Sequence, residues 1–299
     1  MKARLKDQLN LASKLTPSKV FNSAKLLASY YWSRITKKPV QWGYPASISF
    51  EPTTSCNLRC PECPSGLRAF TRPTGMLDNK FFKDSITQLK KELHYLTFYF
   101  QGEPYLNPKF LDMVKFAHDN KIYTATSTNA HYLKPDIAKK TIESGLDRLI
   151  ISIDGTSQET YQSYRVGGKL EKVIEGARNI IAAKNEMNST KPFVIFQFLV
   201  VKPNEHQIDD VLKFINKEIK SGNQIFWVCP LIEVSKKLDH SSAVMKFEYL
   251  EKNFPNQVCL LHGKTDLEEK NKILNDYLNN KFKIFNSTLF ETQNISKTS

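Results

Sequence analysis

The chain has 299 residues, 40% of them hydrophobic and 11% aromatic, with a formal charge of +13, which is enough apolar material for one large core or two ordinary ones. The longest apolar candidate, Val194 to Val201, is broken by Gln197, so no run reaches the roughly 18 residues of a membrane span. Three of the five cysteines lie within eight residues, which excludes a disulfide framework and points to metal bound in a reducing cytosol, hence a cytoplasmic location.

Taken in chain order, a leader comes first. Residues 1–45 hold nine Lys or Arg against one acid, Asp7, so +8 of the net charge sits there. Leu5, Leu9, Ala12, Val20, Phe21, Leu26, Leu27, Tyr30 and Tyr31 give the leader an amphipathic pattern. Two readings fit: a docking helix with a solvated basic face, or a helix lying peripherally on an anionic membrane or on nucleic acid. A secretory signal does not fit, because Lys14, Lys19 and Lys25 interrupt every apolar stretch.

From Ser47 onward short β-rich runs alternate with longer helical patterns, which predicts βα units and a parallel sheet. Strands are expected at Ser47 to Glu51, Tyr95 to Gln101, Ile122 to Thr128, Arg148 to Ile153 and Phe193 to Val201. Helices are expected near Asp78 to Leu93, Pro108 to Asn120, Pro135 to Ser144 and Leu170 to Met187. Chemically distinctive residues fall at the carboxyl ends of four strands: the cysteines, then Gln101-Gly102-Glu103-Pro104, then Ser127-Thr128-Asn129, then Asp154-Gly155. Parallel α/β barrels build their active sites on that rim.

Cys56, Cys60 and Cys63 give the spacing C-x-x-x-C-x-x-C on the loop after the first strand. Three thiolates hold three corners of a four-iron cluster and leave one iron open. A Cys₃His zinc site is the alternative, with His94, His118 or His131 as fourth ligand, although a single triplet lacks the paired ligand couples usual for zinc. Cys229 and Cys259 sit in apolar runs and read as small buried hydrophobes.

The triplet resembles the signature of the radical S-adenosylmethionine (SAM) superfamily, in which the open iron chelates SAM and one electron splits its sulfonium to give a 5′-deoxyadenosyl radical. Gln101-Gly102-Glu103-Pro104 is similar to the family's glycine-glycine-glutamate-proline turn, implying that carbonyls and the acid receive the SAM amino group. Ser127, Asn129, Ser152 and Asp154 lie in segments similar to those lining the ribose and methionine parts of SAM. Arg165, between Tyr164 and Gly167-Gly168, resembles the arginine that pairs with the SAM carboxylate, and Gln197 a residue near the adenine. Glu62 departs from the aromatic residue common before the last cysteine.

The resemblance runs from about Pro45 to Asp210 and is nearest to proteins that carry a C-terminal SPASM module, whose many cysteines are missing here. It implies a [4Fe-4S] cluster and SAM as cofactors, a small-molecule or peptide substrate, and an electron donor such as flavodoxin or ferredoxin. Residues 213–284, with Ile225 to Glu233, Ser235 to Asp239 and Val258 to Lys264, resemble the start of the second motor lobe of RecG-type DNA helicases. Gly263-Lys264-Thr265 lacks the first glycine of a phosphate-binding loop, Val258 standing in its place, so ATPase activity is not expected and nucleic acid is not the expected partner. The expected architecture is α/β: a basic leader (1–45), a (βα)6 partial TIM-like barrel (46–212) whose sixth strand is Ile225 to Val228, and an appended incomplete RecA-like lobe (213–299). The rival reading is a nucleic-acid-binding, helicase-derived chimera.

Overall fold

The computed structural model describes residues 3–220, 225–229, 243–261, 266–279 and 281–288. Its contacts divide the chain into two units, Met1–Gln207 and Ile208–Ser299. The leader therefore belongs to the first unit, and the divide falls at Ile208 instead of Lys213.

The first unit runs α1 (Ala3–Ser13), α2 (Pro17–Thr36), β1 (Ser47–Ser49), α3 (Pro64–Leu67), α4 (Asn79–Leu89), β2 (Tyr95–Phe98), α5 (Phe110–Asp119), β3 (Tyr123–Thr128), α6 (Pro135–Glu143), β4 (Arg148–Ser152), α7 (Gln158–Tyr164), α8 (Leu170–Glu186) and β5 (Phe193–Gln197). The five strands form one parallel sheet in sequence order, in register from Ser47↔Tyr95 through Tyr95↔Tyr123 to Arg148↔Phe193. Parallel strands need helical crossovers, which cover the sheet, and Tyr123 to Thr126 are accordingly all buried. Phe82 and Ile86 in α4, Met113 and Ala117 in α5, and Val173 and Ile180 in α8 lie at helical spacing and close on Leu96, Phe98, Leu149 and Ile151. Each of these side chains larger than alanine contributes roughly 1.5–3 kcal/mol by leaving water.

β1 and β4 end two residues and one residue before their expected ends, and β2 and β5 stop three and four residues short, for local reasons. Phe100 takes φ 140° and Gly102 φ 76°, which turns the chain out of the ladder after Phe98. Beyond Gln197 side chains replace a neighbouring strand: Leu199 N donates to Asp154 Oδ1 (2.8 Å) and Val201 N to Asn204 Oδ1 (2.7 Å).

The leader is held at the amino ends of the strands. Asp7 is buried and accepts from Tyr123 Oη and from Arg148, each at 2.5 Å. Buried Asp147 accepts from Asn10 (2.8 Å) and Lys191 (2.9 Å) and lies 3.5 Å from Lys14 Nζ. Lys19 Nζ donates to the Lys121 carbonyl (2.5 Å), and burial, with Lys14 and Lys121 nearby, lowers its pKa to about 8. These contacts favour the docking reading for α1 and the start of α2. Among the described residues no helix is long and apolar enough to cross a membrane.

The second unit contains α9 (Ile208–Lys220), β6 (Ile225–Cys229), α10 (Ala243–Asn253), β7 (Val258–Leu261), α11 (Leu267–Leu278) and β8 (Ile284–Thr288). The expected sixth barrel strand is corrected here: β6 pairs with β8, in a separate parallel sheet of order β6-β8-β7, and the first sheet has five strands among the described residues. The reason is that α9 finds its apolar partners locally, Ile208, Val211 and Leu212 packing on Leu250, Phe254, Val258 and Ile284. Cys259 is buried as expected, whereas Pro230 to Glu233, Ser235 to Asp239 and Gly263-Lys264-Thr265 lie outside the described residues.

Candidate functional site at the carboxyl-end rim

The thiol loop leaves β1 and is fixed by its own backbone. Thr54 N donates to the Gly75 carbonyl (3.0 Å), Thr53 bridges antiparallel to Met76, and Cys63 N donates to the Cys60 carbonyl (3.3 Å). A Cβ on Gly66 would lie 2.4 Å from the Cys60 carbonyl oxygen, so α3 packs against this loop only with glycine there.

Donors surround two of the three sulfurs. Cys56 Sγ accepts from Leu58 N (3.4 Å) and faces Asn129 Nδ2 at 3.9 Å, and buried Cys60 Sγ faces an Arg165 guanidinium nitrogen at 3.7 Å. Cys63 Sγ lies 3.6 Å from Gln101 Oε1. Burial pushes the Cys56 thiol up to about 11, and burial also raises that of Cys60 against the pull of Arg165. A ligated metal would displace these protons, and the same N–H donors would then serve the thiolates.

The ends of three further strands converge on this loop. After β2, Glu103 N donates to the Ser55 carbonyl (2.8 Å) and Gly102 N to Ser65 Oγ (2.8 Å), which itself donates to Gln101 Oε1 (3.2 Å). Gly102 is indispensable to this turn, since at φ 76° a Cβ would stand 2.0 Å from the Thr53 carbonyl oxygen. After β3, Asn129 Nδ2 donates to Asn57 Oδ1 (2.8 Å). After β4, Asp154 is fully buried and pairs with Arg165 through Nε (2.5 Å) and Nη2. Ser127 is half-buried on β3, and Ser152 is buried on β4 opposite Gln197 in register.

Two expected roles look different in place. Glu103 is fully buried beside Pro104 and turned inward, its carboxylate accepting from Thr128 Oγ1 (2.7 Å), Asn129 N (2.9 Å) and Tyr105 N (3.4 Å). It ties the end of β3 to the turn instead of presenting a free acceptor. Burial outweighs those hydrogen bonds and raises it to about 7. Arg165 has one edge on Asp154 and the other toward Cys60.

The sequence reading missed Asn57, Ser65 and Asn204 as structural members of the site, and named Thr128 only within its segment. Asn204 is buried and joins the Asp154 carbonyl (3.0 Å) to the Leu199 carbonyl (2.8 Å). Ser65 and Asn204 carried no periodic signal, and Asn57 was visible only as a polar residue between the cysteines.

The donor set suits a cluster better than one ion. Among the described residues no three His, Cys, Asp or Glu converge closely enough to hold a metal ion, whereas a cube spreads its ligands over separate irons. Of the histidines considered for zinc, His94 meets the Leu11 carbonyl (3.0 Å) and His118 meets Lys14 (3.0 Å), while both nitrogens of His131 are engaged, with the Asn129 carbonyl (2.9 Å) and with Lys169 N (2.9 Å).

A family model described as the radical SAM superfamily matches residues 50–215. The AdoMet-dependent heme synthase of Methanosarcina barkeri is 31% identical over 136 residues, 44% of this chain and 38% of that protein, so the chain spans well under half of that relative's length. The ATP-dependent DNA helicase RecG of Thermotoga maritima is 38% identical over 84 residues, 27% of this chain and 11% of the helicase, a short partial match. Among solved structures, native anSMEcpe with bound AdoMet aligns at a TM-score of 0.53 and 19% identity, covering 81% of this chain and 64% of that one, which bears on the fold alone.

Proposed function

From a chain that belongs to the radical SAM superfamily, we propose an enzyme that cleaves SAM reductively and abstracts hydrogen from a small-molecule or peptide substrate. Cys56, Cys60 and Cys63 would hold the [4Fe-4S] cluster, which when bound supplies the electron for that cleavage. Around it the chain positions and shields. The Gln101 and Gly102 carbonyls would accept the SAM amino group. Arg165, braced by Asp154 through Nε and Nη2, would offer its remaining nitrogen, which faces Cys60, to its carboxylate. Ser127, Asn129 and Ser152 offer hydroxyl and amide groups to its polar oxygens, and Pro104 fixes the turn. Glu103 orients Thr128 and Asn129 behind them.

The observation that carries this reading is the bonding of the third strand end to the cysteine loop through Asn129 to Asn57, and of the fourth through Asp154 to Arg165 and Arg165 to Cys60. Flavodoxin or ferredoxin suits as electron donor, and a cytoplasmic location suits thiols that must stay reduced. Anaerobic reconstitution with iron counting and 5′-deoxyadenosine detection tests it. Roughly four irons per chain and deoxyadenosine formed from SAM and dithionite are expected; zinc in their place, or no metal, would overturn the assignment.

For residues 213–284 we propose a helicase-derived fragment retained as structure, without ATPase activity. The short RecG match and the three-stranded parallel sheet with α10 and α11 support this reading. DNA-stimulated ATP hydrolysis by the purified chain would refute it.

A further inference from the structure

Helix α2 is inverted relative to an ordinary surface helix. The stripe it turns inward is mostly polar: Lys19, Asn22 and Ser29 are buried, and Leu26 and Ser33 half-buried. That stripe is satisfied by the chain itself. Asn22 holds the Tyr44 amide (2.9 Å) and carbonyl (2.8 Å), Ser33 Oγ holds the Val40 amide (2.9 Å) and carbonyl (3.2 Å), and Lys19 reaches the Lys14 and Lys121 carbonyls.

The opposite face is apolar and uncovered. Val20, Phe21, Leu27, Tyr31, Trp32 and Ile35 are between 51% and 78% exposed, and Ala24 and Ala28 lie between them. At 3.6 residues per turn these eight occupy a continuous arc of about 140°. Trp42, from the returning segment, stands 6.1 Å from Trp32 and widens the patch.

Cations rim this face and no acid interrupts it. Lys25 lies over Phe21 (4.7 Å), Arg34 over Tyr30 (5.8 Å), and Lys37 and Lys38 follow at the helix end. No Asp or Glu occurs from residue 8 to residue 50.

We propose that α2 lies in the plane of an anionic phospholipid surface, its apolar face among the acyl chains, Trp32, Trp42, Tyr30 and Tyr31 at headgroup level, and its cations on lipid phosphates. Aromatic belts and basic rims are what that interface selects. A second copy of the chain would bring two uncompensated sets of cations together. Protein interfaces are depleted in lysine at their apolar centres. Nucleic acid would leave the aliphatic arc unused. Since Asp7, Lys14 and Lys19 anchor the leader at the amino ends of the strands, contact there leaves the carboxyl-end rim free for substrate.

The test is co-sedimentation of the full chain with vesicles of phosphatidylcholine alone or mixed with phosphatidylglycerol, read together with tryptophan emission. Binding to the mixed vesicles, a blue shift, and release by added salt are expected. Lys37→Gln with Lys38→Gln should lower the apparent affinity roughly 25-fold, from about fivefold per cation. Phe21→Glu with Ile35→Glu should abolish binding while helical circular dichroism persists; should helicity fall, the lysine pair decides alone. Absence of pelleting, equal pelleting after the lysine substitutions, or a lipid-indifferent dimer in size-exclusion chromatography would each overturn the proposal.

Discussion

The two ends of the five-stranded sheet handle buried charge in opposite ways. At the amino ends every buried carboxylate has cationic partners close by: Asp147 meets Lys14 and Lys191, and Asp7 meets Arg148. At the carboxyl ends, Asp154 alone among the described residues is so paired. Glu103 is solvated only by hydroxyl and amide groups, and the thiols face their partners at 3.4 to 3.9 Å. A closed network of charges resists opening, while a loosely solvated set of ligands and acceptors awaits a guest. The first end is built for stability and the second for chemistry.

The largest effect that would sharpen this contrast is at the thiols. Cys60→Ala should abolish cluster assembly and deoxyadenosine formation, measured by iron content and chromatography, and leave the unfolding midpoint of the cluster-free protein within about 1 kcal/mol of the parent, as for a small buried side chain that collapses well. Asp7→Ala should do the reverse. It strands Arg148 and the Tyr123 hydroxyl at a buried site, costing about 4 kcal/mol in urea unfolding, with iron per folded chain unchanged. If Asp7→Ala emptied the cluster site at full stability, the division between the two ends would be wrong. Gly102→Ala lies between them: a Cβ in that backbone conformation, against the Thr53 carbonyl, should cost about 3 kcal/mol and also lower iron content, because the same turn carries Gln101 beside Cys63.

How much of this was legible in the sequence follows from which signals are local. The cysteine spacing and the four polar strand ends were readable because each sits at a fixed place in a periodic pattern, and the five strands and four long helices of the sheet region follow that periodicity. Helix α7 was not read, since Tyr161 and Tyr164 are its only large apolar residues and the remainder of Gln158–Tyr164 is polar. The place of β6 was misread because pairing between distant segments leaves no local trace, and β8 supplies the partner that β5 was expected to give. The leader's two faces were half legible: the apolar and basic residues were visible, but not that Asp7, Lys14 and Lys19 would be spent inward. For Glu103 the motif indicated an acceptor for an incoming amine, and only the distances from Thr128, Asn129 and Tyr105 reveal that the chain itself occupies it.

Glu103 also gives the smallest and most discriminating effect. Burial raises its pKa from the ordinary 4.5 to about 7, so the folded state holds a proton more tightly than the unfolded chain does. Its contribution to stability is therefore fully present below about pH 4.5, is lost as pH rises through about 7, and is flat above, a total near 3 kcal/mol at about 1.4 kcal/mol per unit. His94, His118 and His131, lowered by burial, act with the opposite sign and destabilise the fold as pH falls below their ordinary range. Wild type alone would mix the two, but the difference between wild type and Glu103→Gln, followed in urea from pH 5 to 8 on cluster-free protein, cancels the histidines. That difference should shrink by about 2.5 kcal/mol across the window, because wild type loses stability there and the glutamine variant does not. A difference independent of pH would mean that Glu103 is already ionised at pH 5, held by its three donors, and the distinction between a paired end and a waiting end would fail at its central acid.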